Sequence, residues 1–392
     1  MTGSGKTSAA RGEGGGSRSC FNVLYLQDHA GIGGAQQSLL DFLGGLPAGS
    51  VAVKPHVVVG DDGFLAEQLH SRQIPSVVLR FPEYRKARDI LYRPAFTRRL
   101  TELCEQWRID LIHANTSQVA PWSAALGGKL GLASCVTCRE IITPEQMRKY
   151  RVLDNGGAIA ISRTVAEQFP SQSNVRQIYN AIACPDFVPA SAEALARLKI
   201  PAGARLRVAF LGSLSTRKGP HVLLEAAPAV LKKFPEALFV FMGGGKPEFE
   251  RQLRAQAQKL GIVTNVVFTG PLANGAQYLS LFDLFVMPSL AEPLGRGAVE
   301  AMYAGLPVVA SSGGLREIVE DGRTGRLVAP NDPTALAEAI SAYLRSESLR
   351  REHGEAGRVR ARELFDPARY ATRVAAFYTE LVDARRNGEG RT

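Results

Sequence analysis

Short apolar runs alternate with amphipathic stretches along most of this chain, and that rhythm most constrains its fold. Residues 23–27, 57–60, 76–79, 111–114, 134–138, 158–161 and 175–178 read as strands. Residues 35–43, 63–71, 93–107 and 117–130 read as helices between them. Apolar strands joined by helices specify a parallel sheet covered on both faces. The rhythm breaks between 183 and 205, where Pro185, Pro189 and Pro201 interrupt it. It then resumes with strands at 206–211, 237–242, 266–269, 284–287, 307–310 and 325–328. Helices are expected at 218–234, 247–260, 297–303 and 333–345, and a last one at 367–385. The expected organisation is therefore a tail (1–19), a first α/β domain (20–185), a linker (186–205), a second α/β domain (206–365) and a terminal segment (366–392). In open parallel sheets, ligands bind beyond the carboxyl ends of the strands. Two such sheets facing each other place a cleft between the domains.

Composition narrows the classes. Of 392 residues, 45% are hydrophobic and 21% charged, enough to bury ordinary cores. Lys and Arg number 47 against 37 Asp and Glu, a net +10 that favours anionic partners. No run approaches the ~18 apolar residues of a membrane span. The apolar run at 20–26 is too short for a signal peptide. Five cysteines, an odd number scattered through a long chain, argue for a reducing compartment and a cytoplasmic location.

Two motifs mislead. Gly3-Ser4-Gly5-Lys6-Thr7 imitates the end of a phosphate-binding P-loop but has no strand before it. Cys135-Val136-Thr137-Cys138 has redox-pair spacing but falls in a strand, so buried thiols are the expectation. No second Cys or His pair completes a metal site, and no Asp-x-Asp follows a strand.

The second half carries the chemistry. A strand ends at Gly212-Ser213, and the loop beyond it brings Arg217 and Lys218 to a helix start at Gly219. Glycine admits close backbone approach, and a helix start offers unpaired N–H groups, which suits a diphosphate. A second glycine turn follows at Gly243-Gly244-Gly245. The most specific element is Glu292-Pro293-Leu294-Gly295-Arg296-Gly297-Ala298-Val299-Glu300, in which seven residues separate two glutamates around a helix N-terminus. Two carboxylates flanking an anion-binding terminus fit a nucleotide-sugar: one for sugar hydroxyls, one for the ribose.

These segments resemble the large retaining glycosyltransferase family 4, with its GT-B fold and E-x7-E motif. The resemblance spans roughly residues 21–384. It is carried by Gly212 with Arg217-Lys218-Gly219, by Gly243-Gly244-Gly245, by Glu292 and Glu300, and by Gly313-Gly314-Leu315-Arg316-Glu317. Gly33-Gly34-Ala35-Gln36 and Asp110-Leu111-Ile112-His113-Ala114-Asn115 are its weaker N-terminal counterparts. It implies two Rossmann-like, doubly wound domains facing across a cleft. Glu292, Lys218 and Arg217 would be the catalytic set. Gly34, Gly212, Ser213, Gly244, Leu294, Gly295 and Glu300 would bind the donor, a nucleoside diphosphate sugar. His113, Arg139 and Glu140 would lie on the acceptor side, and no metal or other cofactor is implied. The terminal helix would cross back to the first domain. Two positions depart from the family pattern. Ser213 stands where many members have Arg, and Arg139 where many have His. An Arg cannot serve as a base near neutral pH but can bind an anionic group.

The expected reaction is sugar transfer to an acceptor hydroxyl with retention of configuration, on a carbohydrate or lipid-linked acceptor. Cell-surface polysaccharide or glycolipid synthesis is the expected setting. Two alternatives are a GT-B nucleotide-sugar epimerase and a non-catalytic nucleotide-sugar-binding subunit. Residues 80–99 hold seven basic residues against two acidic ones, interleaved with Phe81, Tyr84, Tyr92 and Phe96. That pattern suits an anionic membrane surface or a plain solvated face. Nothing in the pattern supports nucleic-acid binding.

Overall fold

The computed structural model describes residues 20–46, 52–82, 87–201, 203–311 and 314–389. The expected tail at 1–19, residues 83–86 of the basic segment, Gly313 and residues 390–392 lie outside the described residues.

The first sheet contains β1 (Cys20–Gln27), β2 (Ala52–Val59), β3 (Ser76–Val78), β4 (Leu111–Ala114), β5 (Ala133–Cys138), β6 (Gly157–Ala160) and β7 (Val175–Gln177). Its order is β3-β2-β1-β4-β5-β6-β7, all parallel. The second contains β8 (Leu206–Leu211), β9 (Ala237–Met242), β10 (Val266–Gly270), β11 (Leu284–Met287), β12 (Val308–Ser311) and β13 (Gly325–Val328). Its order is β10-β9-β8-β11-β12-β13, again all parallel. Every residue of β4, β5, β9 and β11 is buried, as strands covered on both faces require. In both sheets the order reverses beside the first strand, β1 or β8. A crevice opens there at the carboxyl ends.

Helices α1 (Gly34–Gly44), α2 (Phe64–Ser71), α3 (Arg93–Gln106), α4 (Ala120–Leu130), α5 (Pro144–Lys149) and α6 (Arg163–Ala166) alternate with the strands of the first sheet. After α7 (Ala192–Arg197) come α8 (Pro220–Leu231), α9 (Pro247–Lys259), α10 (Arg296–Tyr303), α11 (Leu315–Ile318) and α12 (Pro333–Arg345). The chain closes with α13 (Glu347–Phe365) and α14 (Pro367–Glu389). The connecting segment is stitched to the second domain. Val188 N–H donates to Gln277 O at 2.9 Å, and Ser280 Oγ donates to Val188 O at 3.0 Å.

Three features join the halves. First, α14 returns to the first sheet and buries Tyr370, Val374, Phe377, Tyr378 and Leu381 among Tyr25, Cys135 and Ile159. Full burial of one such side chain contributes about 1.5–3 kcal/mol. Second, the Glu317 carboxylate of α11 accepts from Arg163 N–H (2.7 Å), Thr164 N–H (2.8 Å), Thr164 Oγ1 (2.8 Å) and Tyr179 OH (3.1 Å). It thereby satisfies amides at the start of α6 that the helix itself leaves open. Third, Arg296 of α10 pairs with Asp41 of α1 at 2.8 Å.

Candidate active site

The β8–α8 loop and the loop after β11 are held as one unit. Gly219 has φ 71°, and a Cβ there would stand 2.0 Å from Pro288 O, so only glycine permits this approach. Leu290 N–H then donates to Arg217 O at 2.8 Å. The consequence is electrostatic. Glu292, only 5% exposed, pairs through Oε2 with Lys218 Nζ and lies 3.6 Å from Arg217 Nη1. Ser289 Oγ donates to the same oxygen at 3.4 Å, and Arg217 donates to Ala291 O at 2.8 Å. Lys218 and Arg217, expected as cations open to phosphate, are thus occupied by the carboxylate expected to meet the sugar.

Gly295 precedes α10 with φ 94°, and a Cβ there would come within 2.4 Å of Leu315 Cδ2. The turn places the start of α10 against the cavity. One helical turn further in, Glu300 is buried and accepts from Arg296 Nε at 2.7 Å. Burial raises the pKa of this carboxyl, and Arg296 offsets only part of that rise. Burial alone would lower the Arg296 pKa, but Glu300 and Asp41 together raise it above the ordinary guanidinium value. Glu300 therefore sits behind Arg296.

The cavity between the domains has a volume of about 650 Å³. It brings together Gly34, Arg139, Glu140, Arg217, Glu292, Leu294 and Gly295. Lys218 joins the group through Glu292. Gly212, Ser213 and Gly244 are not in its lining. Gly212 N–H donates to Met242 O at 3.0 Å and Leu214 N–H to Gly244 O at 2.9 Å, so this loop extends the sheet pairing instead.

His113 is set apart from the cleft. It is 3% exposed, with Nδ1 bonded to Tyr378 OH of α14 and Nε2 2.7 Å from Thr137 Oγ1. Burial, with Arg139 adding to it, pushes its pKa down to about 3, so the ring is neutral. His113 keeps the strand-end position expected for it in β4, where α14 covers it.

Several residues of the site were not singled out in the sequence. Asp41 and Ser38 share a face of α1 with Gly34, at i, i+4 and i+7, and that polar stripe on an apolar helix was the available signal. Asn180, buried, accepts from Arg139 and has no local sequence signature, whereas Asn115, which also holds Arg139, closes the strand-end segment read at 110–115. Cys135 and Cys138 are buried free thiols, and burial pushes Cys138 up to about 12. Among the described residues, no group of three or more His, Cys, Asp or Glu side chains stands together as a metal site.

Two doubly wound parallel domains enclosing a cleft define the GT-B architecture of glycosyltransferases. Two glycosyltransferase family models match the chain, one over each half. Residues 33–208 match the family described as Glycosyl transferase 4-like domain, and residues 197–360 match Glycosyl transferases group 1. Spore coat protein SA of Bacillus subtilis is 30% identical over 56% of this chain and 62% of its own length. A D-inositol 3-phosphate glycosyltransferase of Streptomyces scabiei is 31% identical over 72% of this chain and 65% of its own. The chain thus spans less than two thirds of either relative. Anabaena HepE, solved in complex with UDP-glucose, superposes with a TM-score of 0.79 at 23% identity, covering 92% of this chain and 100% of that one.

Proposed function

We infer that this protein transfers a sugar from a nucleoside diphosphate sugar to an acceptor hydroxyl, with retention of anomeric configuration. The observation that carries the reading is the Lys218–Glu292–Arg217 cluster at an interdomain cavity, beside the N-terminus of α10. A donor diphosphate competes with Glu292 for the two cations. Once displaced, the Glu292 carboxylate is available to accept from sugar hydroxyls. As the bond from the anomeric carbon to the phosphate oxygen breaks, its electron pair passes to the β-phosphate. Lys218, Arg217 and the α10 terminus stabilise that charge where it grows. The acceptor oxygen bonds the anomeric carbon from the same face, and its proton passes to a phosphate oxygen. Glu300 and Arg296 hold the nucleotide ribose side of the site.

The test is turnover against UDP-, GDP- and ADP-sugars with carbohydrate and lipid-linked acceptors, read by nucleotide release and by NMR of the product. The complex of HepE makes UDP-glucose the first donor to try. A glycoside with the donor's configuration is expected. Donor consumption without acceptor, giving a sugar isomer, would replace this reading with epimerisation. Tight donor binding with no turnover would replace it with a binding subunit.

The acceptor side also supports docking on an anionic membrane. Ile90, Leu91 and Tyr92 are consecutive and 52%, 85% and 66% exposed. Arg93, Arg98 and Arg99 follow in α3. Apolar side chains rimmed by cations suit the interface of an acidic bilayer. No helix of the described residues is long and apolar enough to cross a membrane. Sedimentation with phosphatidylglycerol vesicles should exceed that with phosphatidylcholine at least fivefold. Leu91→Asp should remove most of the difference, and equal binding to both vesicles refutes the surface.

A further inference from the structure

We propose that Arg139 recognises an anionic group, a carboxylate or phosphate ester, carried by one of the two sugar substrates outside the nucleotide diphosphate. The proposal rests on the glycosyltransferase reading and narrows its substrate class.

Arg139 directly follows β5, at the carboxyl end of the first sheet, and its side chain lines the cavity. The guanidinium is half-buried and fixed. Its Nε donates to Asn115 O at 3.2 Å, Nη2 to Asn115 Oδ1 at 2.7 Å and Nη1 to Asn180 Oδ1 at 2.5 Å. Asn115 is itself anchored, donating to Gln27 Oε1 at 2.6 Å and to Ala35 O at 3.2 Å. These bonds use three of the five N–H groups of a guanidinium, the Tyr370 hydroxyl is a further partner, and one N–H is left for a ligand.

All three acceptors are neutral. Among the described residues, no Asp or Glu forms an ion pair with Arg139. Glu140, its neighbour in sequence, bonds Gln118 at 3.2 Å instead. The other cations of the cleft are paired: Lys218 and Arg217 with Glu292, and Arg296 with Asp41 and Glu300. Among the described residues, Arg139 is thus the cleft cation held by neutral groups and paired with no carboxylate. A half-buried cation without a counter-charge is costly unless a ligand supplies one. A fixed guanidinium presents a planar fork that fits carboxylate or phosphate oxygens.

The surroundings separate this group from the diphosphate. The Lys218–Arg217 cluster and the α10 terminus belong to the second sheet. Arg139 lies on the first, with Ser38, Thr116, Ser117 and Gln146 around it. Hydroxyl and amide side chains of that kind suit sugar hydroxyls rather than a second phosphate pair.

Calorimetry with the full chain tests the proposal in two arms. The donor arm compares UDP-glucuronate with UDP-glucose. The acceptor arm, under saturating UDP, compares D-inositol 3-phosphate with inositol. In one arm the anionic ligand should bind at least tenfold tighter. Arg139→Gln should bring that preference below twofold with UDP affinity unchanged, and Arg139→Lys, which keeps the charge but loses the fork, should retain only part of it. Melting temperatures of both variants report whether the fold is kept. Absence of a preference in both arms overturns the proposal, as does a preference that survives Arg139→Gln. Weakened binding of UDP itself in Arg139→Gln overturns it too, because Arg139 would then serve the diphosphate. Failure of wild-type protein to bind UDP, GDP or ADP is a separate result, which refutes the glycosyltransferase reading; if GDP or ADP binds tightest, that nucleotide replaces UDP throughout.

Discussion

Lys218→Ala is expected to lower kcat by about 10²–10³, the loss of about 3–4 kcal/mol typical when one preorganised donor to a developing anion is removed. The ammonium sits on the loop that Gly219 locks against Pro288, so its position is set before the donor arrives. Preorganisation is what makes such a charge worth more in the transition state than in water. The substitution also removes a contact of Glu292, a carboxylate only 5% exposed. Arg217 and Ser289 remain near that oxygen, so the stability cost is expected to be about 1–3 kcal/mol. Circular dichroism and kcat measured well below the melting temperature separate the two effects. A Glu292→Gln, Lys218→Ala double variant should recover much of the lost stability and none of the activity. Near-normal turnover by Lys218→Ala would remove Lys218 from the chemistry.

Tyr378→Ala is expected to destabilise the fold by about 3–5 kcal/mol in urea unfolding, the range for deleting a fully buried aromatic side chain. Tyr378 is 0% exposed and bonds both His113 and Tyr25, the latter at 3.1 Å. A pH readout identifies the mechanism. Folded His113 titrates at about 3 against an ordinary 6.5, so the unfolded chain binds the extra proton between those values. This contribution to stability is fully present above pH 6.5. It is lost at about 1.4 kcal/mol per unit as pH falls towards 3. Between pH 7 and 5.5, above the carboxylate range, wild-type stability should fall measurably. Opening the site to water in Tyr378→Ala should soften that slope, because burial is the main cause of the depressed pKa. An unchanged slope would mean that the helix does not seal the imidazole.

Much of the fold was readable because its strands are apolar on both faces. β4, β8, β9, β11 and β13 have the bounds expected from their apolar runs. β2 begins earlier than expected, since Lys54, Pro55 and His56 break the apolar pattern there. The register explains the tolerance. β3 pairs only with Val57–Val59, so the first part of β2 has β1 as its sole paired strand and behaves as an edge, where proline is allowed. The cavity lining was readable where one segment carried the signal, as in Glu292 through Arg296. It was not readable where partners are far apart in sequence. Lys218 and Glu292 were each singled out, but their mutual neutralisation depends on the fit of Gly219 to Pro288. Arg296 reaching Asp41 and Tyr378 capping His113 both require the two halves of the chain to be assembled.

The returning helix also sets a clock. The first sheet is complete in sequence at β7, yet Tyr370, Phe377 and Tyr378, which close its core, come nearly two hundred residues later. At roughly 5–20 residues per second of synthesis, the interval is about 10–40 s. During it the nascent first domain has its strands but lacks one wall, leaving Tyr25, Cys135 and Ile159 without their final cover. Completion of the N-terminal half is therefore deferred until the C-terminal half has left the ribosome.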